Sequence, residues 1–214
     1  RRILLDVGPD FRMQALENKI DRLDGLLLTH THYDHIAGID ELRIYYLQEK
    51  KPLPCLLSQE SFNELKVRYY YLFEPPNPSQ TLNAQLEMDI LKEDEGVANF
   101  LGVKIGYFSY FQGPMKVTGF RVGDFAYVSD IRTFDEKIFK SLSGVEFLVV
   151  SALREGKARM MFSIEEALDF AKRIGAKNTW LTHMNHEIDF DSFCGKLPSG
   201  IELAYDGLEI EFGT

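Results

Sequence analysis

Leu28-Thr29-His30-Thr31-His32-Tyr33-Asp34-His35 decides how this chain is read. It follows a short apolar run, Gly25-Leu26-Leu27-Leu28, of the kind that forms a buried strand. Three histidines and an aspartate then fall between positions 30 and 35. The chain has five histidines in all, and the other two, His183 and His186, form a second cluster far downstream. In an extended segment side chains alternate, so His30 and His32 share a side and can clamp one ion. A turn at Tyr33 redirects Asp34 and His35 toward a second ion. Imidazole and carboxylate ligands together suit zinc, and also manganese or iron. Such a ligand set exceeds what one tetrahedral ion with an open position uses, so a paired-metal centre is the expectation. Two ions about 3.5–4 Å apart can hold a hydroxide and stabilise the leaving oxygen of a hydrolysed ester.

A paired centre needs a bridging carboxylate and a further histidine from elsewhere in the chain. Asp130 directly follows a predicted strand over residues 125–129 and is the bridging candidate; its other reading is a turn or cap before a helix predicted from residue 134. His183 and His186 follow a predicted strand over residues 178–182, in Leu181-Thr182-His183-Met184-Asn185-His186. Either can be the ligand.

The rest of the composition bounds the class. A chain of 214 residues with 45% hydrophobic content can bury one sizeable core, and a 27% charged fraction interspersed with apolar runs excludes a largely disordered chain. A net charge of −9 argues against a dedicated nucleic-acid binder, which needs a basic face to displace counterions. The two cysteines, Cys55 and Cys194, form no metal-type pair, and reduced thiols in a cytoplasm are the expectation. No apolar run is long enough to span a membrane. Arg1-Arg2 precedes only three apolar residues before Asp6, so no signal peptide is read, and a segment upstream of Arg1 is expected.

In chain order the pattern predicts a strand over residues 2–7 and a helix over 11–18 capped by Asp10. A helix over 39–48, a strand over 53–57 and a helix over 58–73 follow. Glu74-Pro75-Pro76-Asn77-Pro78 reads as a rigid break. A strand is expected over 82–90, and the acidic Glu93-Asp94-Glu95-Gly96 reads as a solvated turn. Strands over 103–111, 115–122 and 125–129 come next, the last two joined by a hairpin at Gly123-Asp124. A helix over 134–141 precedes a buried strand over 145–150. Ser163-Ile164-Glu165-Glu166 is a capping box opening a helix to about residue 174, and Gly175 ends it. A strand over 178–182 and a closing hairpin around Asp206-Gly207 complete the chain. Strands alternate with helices in both halves around an antiparallel middle, an α+β arrangement of two sheets flanked by helices.

Thr29-His30-Thr31-His32-Tyr33-Asp34-His35 has the HxHxDH pattern, and the chain resembles the metallo-β-lactamase fold superfamily of metal-dependent hydrolases from end to end. Leu5-Asp6-Val7-Gly8-Pro9-Asp10 is similar to the family's first motif, whose aspartate supports the metal loop without binding metal. Tyr127-Val128-Ser129-Asp130 resembles the motif with the bridging aspartate, and Leu181-Thr182-His183 the last ligand motif, which singles out His183. The ending, from Leu197-Pro198-Ser199-Gly200 through Tyr205-Asp206-Gly207, is similar to the branch of cyclic-phosphate phosphodiesterases and, more distantly, tRNA 3′-end processing endonucleases. The resemblance implies a single domain over residues 1–214, a four-layer αββα sandwich lacking its first strands here. Two departures matter. Phe111-Gln112-Gly113 stands where the family places a ligand histidine, so Gln112 takes that position as a weak neutral ligand. Arg159-Met160-Met161-Phe162 stands where this branch carries a proton-donating histidine, and Met161 cannot donate. The first metal position then has His30, His32 and Asp130, with Gln112 as the added candidate; the second keeps Asp34, His35, His183 and Asp130, and preferential occupancy of the second is expected.

Arg154-Glu155-Gly156-Lys157-Ala158-Arg159 is locally basic: Arg154, Lys157 and Arg159 read either as a phosphate-holding loop or as an ordinary solvated one, with the second slightly favoured. Tyr69-Tyr70-Tyr71-Leu72-Phe73 reads as packing, with a homodimer contact as the other reading. The expected activity is hydrolysis of a small phosphodiester by a metal-activated hydroxide, with one or two zinc or manganese ions. Asp130 bridges, Asp34 lies at the centre, and His186 or a metal-bound water helps with protons. The alternative is a relative that binds metal or a small ligand with little turnover. β-Lactam hydrolysis is not expected, because the fold hosts many chemistries.

Overall fold

The computed structural model describes residues 1–74 and 82–213, so the proline-rich break falls almost wholly outside them. The chain divides into two compact units, Arg1–Glu93 and Asp94–Thr214.

The first unit runs β1 (Ile3–Leu5), α1 (Phe11–Glu17), β2 (Gly25–Leu27) and α2 (Tyr33–Ile36). A 3-10 turn, Ile39–Leu42, leads into α3 (Arg43–Glu49), then β3 (Leu53–Ser58), α4 (Gln59–Arg68), a second 3-10 turn, Tyr70–Phe73, and β4 (Leu86–Leu91). The strands lie in chain order, all parallel. Parallel neighbours need a crossover, and helical segments supply each one described. Strand β2 is buried throughout, as its unbroken apolar run requires. Leu26, Leu28, Ile36, Ile39, Leu42, Leu57 and Leu65 form the core beneath it. Asp10 stands at the N-cap of α1, but its side chain makes no capping bond. Its backbone, at φ −89° and ψ 5°, lacks the extended conformation that aims a cap side chain at the first-turn amides.

The second unit runs β5 (Glu95–Phe100), β6 (Val103–Gln112), β7 (Met115–Val122), β8 (Phe125–Val128), α5 (Ile138–Ser141) and β9 (Phe147–Ser151). It continues through α6 (Ile164–Ile174), β10 (Asn178–Thr182), α7 (Phe190–Phe193) and β11 (Ile201–Leu203). The sheet order is again sequential, antiparallel from β5 to β8 and parallel from β8 to β11. Three expectations are corrected. The acidic run is not only a turn: Glu95 and Gly96 begin β5, an exposed edge strand paired with β6. Its charge hides it from a hydrophobicity reading, and charge is how an edge strand avoids pairing with other chains. The closing hairpin is absent among the described residues. Residues 208–213, after the Asp206-Gly207 turn, form no strand to pair back on β11, which instead lies parallel beside β10 after the crossover through α7. The helix expected from residue 134 shrinks to α5, because Thr133 bridges back to Phe111 and Asp135 accepts the Lys137 amide. Helix α6 matches expectation: Ser163 and Glu166 form the reciprocal capping box, and Gly175 closes it at φ 80°.

The parallel strands set up the chemistry. Asp6 follows β1 and the histidine loop follows β2; in the other unit Asp130 follows β8 and His183 follows β10. The carboxyl ends of parallel strands are where α/β sheets hold ligands.

Candidate metal centre

In the first unit the histidine loop is built around Asp6. This carboxylate is buried and accepts the Thr29 amide at 2.8 Å, the Thr29 hydroxyl at 2.7 Å and His35 Nδ1 at 2.6 Å. A carboxylate only accepts, so His35 carries its proton on Nδ1 and keeps the Nε2 lone pair, which lies 3.4 Å from Asp34 Oδ2. Thr29 has given its own hydroxyl proton to Asp6, so its oxygen accepts from His30 Nδ1 at 2.9 Å and leaves Nε2 of His30 as a lone pair. That lone pair lies 2.9 Å from Nδ1 of His32. Two nitrogens held at about 2.05 Å by one tetrahedral ion would be about 3.3 Å apart. The pair therefore stands within a few tenths of an ångström of a ligand pair, and its donor chemistry fits a divalent metal. A carboxylate behind a ligating imidazole is the usual way to fix its tautomer and raise its basicity.

The backbone is forced into this shape. Asp6 sits at φ 58°, in the left-handed region. Val7 donates to the His35 carbonyl at 2.8 Å and Gly38 to the Val7 carbonyl at 2.9 Å, closing the loop on itself. A Cβ on Gly38 would stand 2.3 Å from the Gly8 carbonyl oxygen, and one on Gly8 2.6 Å from that of Asp34. Glycine is needed at both places for close approach rather than for its torsion angles.

In the second unit Asp130 is buried, at φ 55°, and His183 Nε2 lies 3.3 Å from its Oδ1, with His183 itself at φ 60°. Three motif residues thus hold a conformation that costs of order 1–3 kcal/mol each for a non-glycine residue, and such outliers gather at functional sites. Tyr110 donates to the Ser129 carbonyl at 2.7 Å, and Phe111 exchanges backbone bonds with Arg132 and Thr133, so the end of β6 is stapled to the segment after Asp130. Gln112, the next residue, is 6% exposed, and its Oε1 has no hydrogen-bond partner among the described residues. A buried oxygen with unused lone pairs is what a weak cation ligand must offer.

Behind Asp130, Arg132 Nη1 donates to both Glu166 oxygens, at 3.0 and 2.8 Å, and to the Met161 carbonyl at 3.1 Å. Burial pushes the Glu166 carboxyl up, but the Arg132 and Ser163 hydrogen bonds outweigh it and hold the group below its ordinary range. Met161 is buried, while Met160 is half exposed with its methyl beside Gly113. Arg154 is engaged by Glu187 at 2.9 Å, whereas Lys157 and Arg159 are exposed. His186 is exposed on the loop after β10. The aromatic run packs as expected: Tyr69 donates to the Ile36 carbonyl, Tyr71 to Asp40, and Phe73 stacks edge-on against Phe62, leaving Tyr70 outward. Sequence reasoning missed Thr29, Thr31, Glu64, Arg68 and Tyr110. Only the two threonines carried a signal, because each adjoins a histidine of the motif.

Residues 1–184 match the β-lactamase superfamily domain, and the chain belongs to that family, with the metallo-β-lactamase fold. An octanoyltransferase of Porphyromonas gingivalis (strain ATCC BAA-308 / W83) is 30% identical over 212 residues, 98% of this chain; the chain spans 42% of that protein's length. Among solved structures, a diphosphatase of the PhnP family superposes with a TM-score of 0.87 at 29% identity, covering 99% of this chain and 80% of the other. The short form of human tRNase Z superposes with a TM-score of 0.72 at 18% identity over 99% of this chain and 88% of its own. No helix among the described residues is long and apolar enough to cross a membrane.

Proposed function

We propose that this chain is a metal-dependent phosphoesterase acting on a small phosphodiester or diphosphate, and that residues 1–214 work as one functional domain. The observation that carries it is Asp6, which orients His35 directly and His30 through Thr29 so that each keeps a ring nitrogen for a cation. The PhnP-family diphosphatase supports the substrate class. His30, His32 and Asp130, with Gln112, would hold one divalent ion, and Asp34, His35, His183 and Asp130 the other; zinc or manganese suits these donors. When bound, the ions supply an activated water and neutralise charge on the ester oxygens. Asp6 fixes imidazole tautomers, Tyr110 holds the turn that presents Asp130, and exposed His186 is placed on a loop where it can exchange protons with solvent. Lys157 and Arg159, both exposed, would be offered to a phosphate, with Arg154 shared with Glu187. The net charge of −9 favours a small ester over a polynucleotide. Two free cysteines suit a cytoplasmic setting.

Acyl transfer, which the P. gingivalis protein's name states, belongs to a protein of which this chain spans 42%; in this chain Cys55 is fully buried, and burial pushes its thiol up. Gln112 and Met161 favour one second reading, a relative that binds metal with little turnover. Metal content and hydrolysis of bis-p-nitrophenyl phosphate with added zinc or manganese test both. Metal uptake with turnover supports the phosphoesterase, uptake without turnover the second reading, and no uptake overturns both.

A further inference from the structure

The residue between the two clamp histidines is itself clamped. Thr31 is fully buried, and in the extended segment after β2 it points opposite to His30 and His32. Its hydroxyl donates to Glu64 Oε2, and its carbonyl accepts from Arg68 Nη1 at 2.5 Å. Glu64 and Arg68 are one turn apart on α4 and pair with each other at 3.1 Å, again through Oε2. Side chain and main chain of one residue are thus held by two side chains of one helix face. The rotation of an extended segment about its own axis sets where every second side chain points. Fixing Thr31 on the far side therefore fixes the directions of both imidazoles on the near side.

We propose that Glu64 and Arg68 are positioning residues for the metal centre, acting through Thr31. This rests on the metal-centre reading above. The pair is nearly half exposed, so as a surface ion pair it contributes little to folding. Its consequence lies in the precision of the histidine pair, where a supporting partner is worth 10–100-fold in metal affinity.

The test is zinc affinity by chelator competition and the visible spectrum of the cobalt-substituted protein, on wild type, Thr31→Val, Glu64→Ala and Glu64→Gln. Thr31→Val keeps the shape and loses the donor; Glu64→Ala loses the acceptor. Both should bind zinc about 10–100-fold more weakly and alter the cobalt ligand-field bands. Glu64→Gln should recover most of the affinity, because one amide oxygen can accept from both Thr31 and Arg68. Should Glu64→Ala not fold, the near-isosteric Thr31→Val carries the same readout. Wild-type affinity and an unchanged spectrum in a folded Thr31→Val overturn the inference alone. Absence of metal uptake by wild type overturns it together with the proposed function.

Discussion

Asp6→Asn separates the support of the histidine loop from the fold beneath it. Oδ1 of Asp6 accepts the Thr29 amide, and Oδ2 accepts the Thr29 hydroxyl and His35 Nδ1. Asparagine keeps one acceptor and tolerates the left-handed backbone at φ 58°. Its better orientation puts the amide oxygen where Oδ2 was and saves two of the three bonds. The amide NH2 then faces the Thr29 N–H, and a buried donor goes unmet. Losing one charge-assisted bond and stranding its donor costs roughly 2–4 kcal/mol. Asp6→Ala strands all three donors, about 3–9 kcal/mol by the same reasoning, and adds roughly 1–2 kcal/mol of backbone strain. Against a typical total of about 5–15 kcal/mol, the alanine variant should barely fold while the asparagine variant folds. Guanidinium unfolding of the metal-free protein measures the first effect, and zinc competition the second, expected at about 10–100-fold weaker binding. An Asp6→Asn protein as stable as wild type, with unchanged zinc affinity, would refute the assignment of Asp6 as the organising acceptor.

The other expectations follow from single contacts. Gly38→Ala places a Cβ 2.3 Å from the Gly8 carbonyl oxygen, backbone against backbone, and should lower stability by about 1–3 kcal/mol in thermal unfolding. Gln112→His should raise metal content toward two ions per chain and increase bis-p-nitrophenyl phosphate hydrolysis; unchanged stoichiometry by elemental analysis would count against Gln112 as a ligand position. Glu166 is held below the ordinary glutamate value of 4.5, so its stabilisation is complete above that value and fades as pH falls through the lower folded value. Glu166→Gln should therefore be less stable than wild type at neutral pH, with the gap closing below about pH 4.5 in urea titrations at stepped pH. Ser163→Ala should cost about 1 kcal/mol, read as a shifted denaturant midpoint.

What the sequence made legible depended on range. The histidine loop, the strands that precede Asp130 and His183, and α6 with its capping box were readable because each signal lies within a few residues. The edge strand β5 was not, since Glu95 and Gly96 look like a turn until β6 is known to lie beside them. The closing hairpin failed for a similar reason: Asp206-Gly207 is a good turn signal, but a turn makes a hairpin only if a strand follows it, and residues 208–213 form none. The motifs gave residue identities and not their supports. Nothing near Glu64 or Tyr110 announces that one bonds Thr31 and the other the turn before Asp130. The left-handed backbone at Asp6, Asp130 and His183 was equally silent.

Gln112 bears on whether the centre works. Were it a mere core residue, its side chain would be a poor choice, since a buried oxygen without a donor costs roughly 1–3 kcal/mol and an apolar side chain of similar volume would avoid that cost. The same oxygen becomes satisfied at once if a cation lies in front of it. Tyr110 and the Phe111 staple on either side of the Asp130 turn hold the end of β6 firmly, so Gln112 stays in place while its oxygen remains unmatched. Under the proposed phosphoesterase reading, Gln112 would be a neutral ligand that binds its ion more loosely and favours harder metals. Manganese should then support more turnover than zinc in wild type, and Gln112→His should reverse that preference. A wild-type preference for zinc would place Gln112 among the residues that only fill space.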